Sequence, residues 1–249
     1  MAVSPEGTST ETTGGGAGVG DTGEDPLDLD IAIDTRFTPL YRVLRVLVHL
    51  INRTVFRTTV TPEGRVPVEG PVIIAPVHRS FIDFFVASEV TKRKLHYMAK
   101  DSLWKSGLLA RILPSVGAFP VHRESADREA LRRAQAVLDA GEVLILFPEG
   151  ERRTGPVIEE LHEGVAFLAA RTGATVVPVG IGGSASVMPK GTKIPRPRHI
   201  HMEVGEAIAP PERSGSGRVP RSRIHLLTEQ LTTSLQALYD RSVEVTGRY

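Results

Sequence analysis

The sequence predicts an α/β fold, a mixed, partly parallel sheet flanked by helices, with an N-terminal amphipathic helix ahead of it. Three observations carry this. Short apolar runs at 72–75 and 143–147 have the length and bounding turn residues of buried strands, and 175–179 reads as a further strand. Segments of helical period alternate with them, the pattern of parallel strands joined by helices. At 249 residues and 41% apolar composition, the chain is large enough for one sizeable core.

Residues 1–34 contain eight acids and no Lys or Arg, around the run Gly14-Gly15-Gly16, and read as a disordered acidic tail. The rest, 35–249, forms a single domain with 30 basic against 21 acidic residues, a net of +9 that suits anionic partners. A helix is expected at 37–56, with Leu40, Val43, Leu44, Leu47, Leu50 and Ile51 among its apolar residues and Arg36, Arg42, Arg45, Arg53 and Arg57 around them. Two readings of it are open: the apolar side packs on the core, or it enters a membrane interface while the arginines meet lipid phosphates. A β-prone stretch at 55–60 and a turn at 62–64 follow. Strand 72–75 runs into a turn holding His78, and Ser80 with Asp83 three residues on starts a helix to about 91, closed by Lys92, Arg93 and Lys94.

Next come a strand at 95–98, a helix at 102–113 stopped by Pro114, a loop and short strand at 117–123, and a helix at 125–139 capped by Ser125 and ended by Gly141. The strand at 143–147 ends in Pro148-Glu149-Gly150-Glu151-Arg152-Arg153. A helix at 163–171, strands at 175–179 and 199–204, and a final helix at 223–239 complete the chain.

Composition excludes several chemistries. With no cysteine there is no disulfide, thiolate nucleophile or cysteine-based metal site. No run of 18 apolar residues appears and the N-terminus lacks a secretory layout, so no simple membrane span is expected. The basic 189–223 segment raises nucleic-acid binding, but one tryptophan and few other aromatics offer little for base stacking, and no nucleic-acid partner is expected.

Two loops each follow a buried strand, and in a parallel sheet both lie along the edge where ligands bind. In residues 78–83 a histidine precedes a carboxylate by five positions. Histidine takes a hydroxyl proton near neutral pH, and a carboxylate on its other ring nitrogen stabilises the imidazolium that forms. Ser80 and Asp83 also spell an ordinary capping box, so both readings stand at this point. Phosphate recognition favours arginine for its two-pronged pairing, but Arg123 and Arg152 taken alone read as solvated surface charges. Ionised Glu149 cannot bind phosphate and is expected to orient an arginine or meet a substrate hydroxyl, while Gly150 lets the backbone approach a ligand. His122 reads as structural, His199 and His201 alternate in a predicted strand, and no metal is expected.

His78-Arg79-Ser80-Phe81-Ile82-Asp83, Gly117 followed six residues later by Arg123, Phe147-Pro148-Glu149-Gly150 with Arg152, and Val176-Val177-Pro178-Val179 follow in order across 66–205. Together they resemble the four motif blocks of the glycerophospholipid acyltransferases, the family of lysophosphatidate acyltransferases. The resemblance implies direct acyl transfer from acyl-CoA or acyl carrier protein to a lysophospholipid hydroxyl, foremost that of 1-acyl-sn-glycerol-3-phosphate, giving phosphatidate. It also implies His78 as base, Asp83 as its orienting acid, and Ser80, Gly117, Arg123, Glu149, Gly150 and Arg152 as substrate-binding residues. No cofactor beyond the acyl co-substrate is implied, and the protein is expected peripherally on the cytoplasmic face of the membrane.

The sequence departs from the family pattern at Val77, where Asn is frequent, at Glu151, where Thr is usual, and near 161–164, where a common Lys is replaced. These departures leave another lysolipid, a glycolipid or an amino-lipid open as acceptor. A non-catalytic lipid-binding protein is the competing class, against which the His78 and Asp83 pair argues.

Overall fold

The structure, a computed structural model, describes residues 37–62, 65–121, 128–189, 191–192, 194–212 and 219–248. The acidic tail at 1–34, His122, Arg123 and the cap expected at Ser125 lie outside the described residues.

Among the described residues seven strands form one sheet: β1 (Thr59–Thr61), β2 (Val72–Pro76), β3 (Leu95–Lys100), β4 (Ala118–Val121), β5 (Val143–Ile145), β6 (Thr175–Gly182) and β7 (His201–Val204). Their order is β1-β7-β6-β2-β5-β3-β4, parallel throughout except for the antiparallel β6–β7 pair. β2 lies between β6 and β5, and all five of its residues are buried, which is why its sequence is a continuous apolar run. Helices α1 (Pro39–Thr54), α2 (Asp83–Val86), α3 (Gly107–Ser115), α4 (Arg128–Asp139), α5 (Gly164–Thr172), α6 (Ser184–Val187) and α7 (Arg221–Thr246) flank it. None of the described helices is long and apolar enough to cross a membrane.

The departures from sequence expectation have local causes. The helix expected from Ser80 starts instead at Asp83 and lasts four residues before tightening into a 3-10 turn at Ala87–Val90. Ser80 does not cap it: its hydroxyl donates to the Met188 carbonyl at 3.0 Å, and the Asp83 carboxylate folds back onto the preceding backbone. The helix expected at 102–113 divides into a 3-10 turn, Asp101–Lys105, and α3, whose last turn tolerates Pro114. β5 stops at Ile145, because Leu146 donates its last ladder bond to Ile74 and Pro148 has no N–H to continue.

α7 runs on past the expected end at 239 to Thr246 and lies directly on β6. Gly180 and Gly182 make that contact: a Cβ at either would fall 2.3 Å or 2.1 Å from the carbonyl oxygens of Leu238 or Ser242. At the β1 end of the sheet, the Thr59 hydroxyl sits between His201 Nδ1 at 2.7 Å and His199 Nε2 at 3.0 Å. Burial, with His201 and Arg57 nearby, pushes the His199 pKa down.

Candidate active site

β2 and β5 are adjacent and parallel, with Ile74 in register with Ile145, so the loops that leave their carboxyl ends meet. From the first loop comes His78, 8% exposed, and from the second Phe147, whose ring stacks on the imidazole at 4.1 Å between centroids. His78 Nδ1 lies 3.0 Å from Asp83 Oδ2. The same oxygen accepts the backbone N–H groups of Arg79 at 2.7 Å and Ser80 at 2.6 Å. An ionised carboxylate only accepts, so Nδ1 carries the proton and Nε2 is left as the basic nitrogen. Among the described residues Nε2 makes no hydrogen bond.

A buried ion pair holds the two loops together. Glu149 Oε1 accepts the His78 backbone N–H at 2.8 Å, and Oε2 pairs with the Arg79 guanidinium. Arg79 further donates to the carbonyls of Gly155 and Val157, each at 3.2 Å, and lies over the Tyr239 ring of α7 at 4.9 Å. Burial pushes the Tyr239 pKa up, and the Arg79 charge works against that rise. The two loops are also joined by Arg153, whose backbone N–H donates to the His78 carbonyl at 2.9 Å.

The structure thus brings His78, Ser80, Asp83, Glu149, Gly150 and Arg152 to one end of β2 and β5. Ser80 and Glu149 are buried and hydrogen-bonded within the protein. Gly150 has φ +70°, and a Cβ there would come within 2.7 Å of the His162 ring. Arg152 is partly exposed and makes no hydrogen bond or ion pair among the described residues. Its neighbours are committed: Arg153 pairs with Glu151 at 3.3 Å and Glu159 at 3.1 Å.

Gly117 is not part of this group. It immediately precedes β4, whose Ala118 pairs with Tyr97, and so lies well below the level of His78 on an outer strand. Its φ of +81° and the 2.3 Å from a built Cβ to the Leu95 carbonyl oxygen give it a packing reason to be glycine.

Sequence reasoning missed Arg79, Phe147 and Tyr239. A usable signal was present for the first: an arginine in one loop and a glutamate in the other, each beside an apolar run, are charges that can be buried only as a pair.

A match to the Acyltransferase family covers residues 57–182, just over half of the chain. The 1-acyl-sn-glycerol-3-phosphate acyltransferase of Bacillus subtilis (strain 168) is 25% identical over 177 residues, 70% of this chain and 84% of that one. A chloroplastic 1-acyl-sn-glycerol-3-phosphate acyltransferase of Arabidopsis thaliana is 23% identical over 58% of this chain, which spans only 44% of that protein's length. The crystal structure of the 1-acyl-sn-glycerophosphate acyltransferase PlsC from Thermotoga maritima superposes with a TM-score of 0.64 at 20% identity, covering 84% of this chain and 82% of that one. That likeness extends to the fold.

Proposed function

The chain belongs to the acyltransferase family, and from that premise we propose that it moves a fatty acyl group from acyl-CoA or acyl carrier protein to the free hydroxyl of 1-acyl-sn-glycerol-3-phosphate, forming phosphatidate. His78 Nε2 takes the hydroxyl proton as the alkoxide oxygen attacks the thioester carbonyl. Asp83 holds the Nδ1 proton and stabilises the imidazolium. The tetrahedral intermediate collapses with loss of the thiolate, which receives the proton from Nε2, so no enzyme nucleophile is needed and the histidine is restored. Arg152 binds the acceptor phosphate, and Glu149 with Arg79 positions His78 without touching substrate.

The observation that carries the reading is the 3.0 Å His78–Asp83 pair beside a loop bearing an uncommitted arginine. Pairing of Glu151 with Arg153 offsets the extra carboxylate that would otherwise oppose a phosphate there. The similarity to 1-acyl-sn-glycerol-3-phosphate acyltransferases supports this acceptor. The protein works peripherally on the cytoplasmic face of the membrane, where acyl thioesters are dissolved; α1 supports this because its apolar side is exposed.

The test is acyl transfer from labelled oleoyl-CoA to a panel of lysolipids and glycolipids. Transfer to the phosphorylated acceptor is expected for the wild type and its loss for His78→Ala; activity that survives this substitution overturns the base assignment. Arg152→Ala is expected to raise KM for the phosphorylated acceptor at least tenfold, about 1.4 kcal/mol, with little change for the donor. An equal rise for both removes Arg152 from the phosphate site.

A further inference from the structure

α1 is built inside out. Val43, Val46 and Leu50 are 64%, 67% and 55% exposed, with Leu40 and Leu47 about half exposed, while the buried residues of the helix are Tyr41 and Asn52. Its polar side faces the protein. Arg45 donates to the carbonyls of Thr91 and Arg93, and His49 Nδ1 meets Glu89 Oε2 at 2.6 Å. A helix excluded from the core on its apolar side has its hydrophobic partner elsewhere. The helix contains three arginines and no acid, with Arg42 and Arg53 exposed and Arg57 just beyond its end. That combination fits an anionic lipid surface.

One contact ties this helix to the dyad. Asn52, 1% exposed, donates from Nδ2 to the Phe85 carbonyl at 3.2 Å and to Glu89 Oε1 at 2.9 Å. Phe85 belongs to α2, whose first residue is Asp83, and Glu89 to the 3-10 turn that continues it. A four-residue helix has little stability of its own. Its orientation, and with it the Asp83 carboxylate, depends on what clamps it. Phe81 and Phe85, each 40% exposed, lie on the same segment, and the Phe85 carbonyl is the group that Asn52 holds.

We propose that Asn52 is a positioning residue that couples the lipid-facing helix α1 to His78 and Asp83, so that docking on an anionic membrane sets the catalytic geometry. The inference rests on the reading of His78 and Asp83 as base and orienting acid and of α1 as the lipid-facing helix.

The experiment compares kcat for the full chain with acceptor in anionic vesicles and with a short-chain acceptor dispersed below its micelle concentration. Wild type turns over faster on vesicles. In Asn52→Ala that gain falls about tenfold or more, because displacement of a catalytic group by a fraction of an ångström has effects of this size. The kcat–pH profile shifts with it, while vesicle co-sedimentation and KM for acyl-CoA stay at wild-type values. His49→Ala, at an exposed position, loosens the same clasp on Glu89 and lowers the vesicle gain without threatening the fold, so it decides the matter if Asn52→Ala does not fold. A wild type with no vesicle gain, or variants that keep both the gain and the pH profile, overturn the coupling. Failure of the base assignment is separate: it is read from His78→Ala alone.

Discussion

Arg79 is 4% exposed, and nearly all of its hydrogen-bonding capacity is met by protein. A buried guanidinium is tolerable only with its carboxylate, so the Arg79–Glu149 pair specifies how the two loops meet more than it adds net stability. Glu149→Gln is therefore expected to destabilise the fold by about 3–5 kcal/mol, read by denaturant unfolding. The double variant Arg79→Met/Glu149→Leu should cost less than the sum of its single changes, since no unpaired charge remains. At Gly150 the left-handed backbone is the larger constraint, because the exposed His162 ring can move aside. Gly150→Ala is expected to lose about 1–2 kcal/mol, and adding His162→Ala should recover only a small part of it. Glu149 and Gly150 stood out in the sequence as loop residues, but which arginine Glu149 meets depends on a contact between residues 70 positions apart.

Among the elements, α1 separates stability from binding most cleanly. Val46→Glu changes a side chain that touches little of the protein, so the melting temperature should stay within the scatter of surface substitutions while co-sedimentation with anionic vesicles falls. Its amphipathic period was legible in the sequence; the direction its apolar side faces was not, because a helical period is the same for a helix packed inward or outward. α7 gives the opposite lesson. Its last turns are polar enough to read as the end of the helix, yet they are held on β6 by the absence of side chains at Gly180 and Gly182. Gly180→Ala pushes against the Leu238 backbone rather than a movable side chain. It is expected to loosen α7, seen as faster amide hydrogen exchange across 230–246 than across β2.

At the scale of the molecule, β2 between β5 and β6 decides where the chemistry collects, since the loops after β2 and β5 share one edge. Charge also acts at this scale: 35–249 carries +9 and 1–34 carries the compensating acids. A chain lacking 1–34 is expected to bind anionic vesicles more tightly at low salt, and the difference should vanish as salt rises, because the attraction is screened beyond about 10 Å at 0.1 M. The alternation of apolar runs with helical segments was enough to specify the α/β class, and strand ends at His78 and Phe147 marked two candidate loops, because burial and turn chemistry are local properties written in residue type. Only the tertiary structure decided the rest. It made the two strands neighbours, joined Arg79 to Glu149, moved Ser80 from helix cap to loop tie, left Gly117 outside the group around His78, and turned α1 with its apolar side outward. Each of these depends on long-range contacts, whose partners no local pattern identifies.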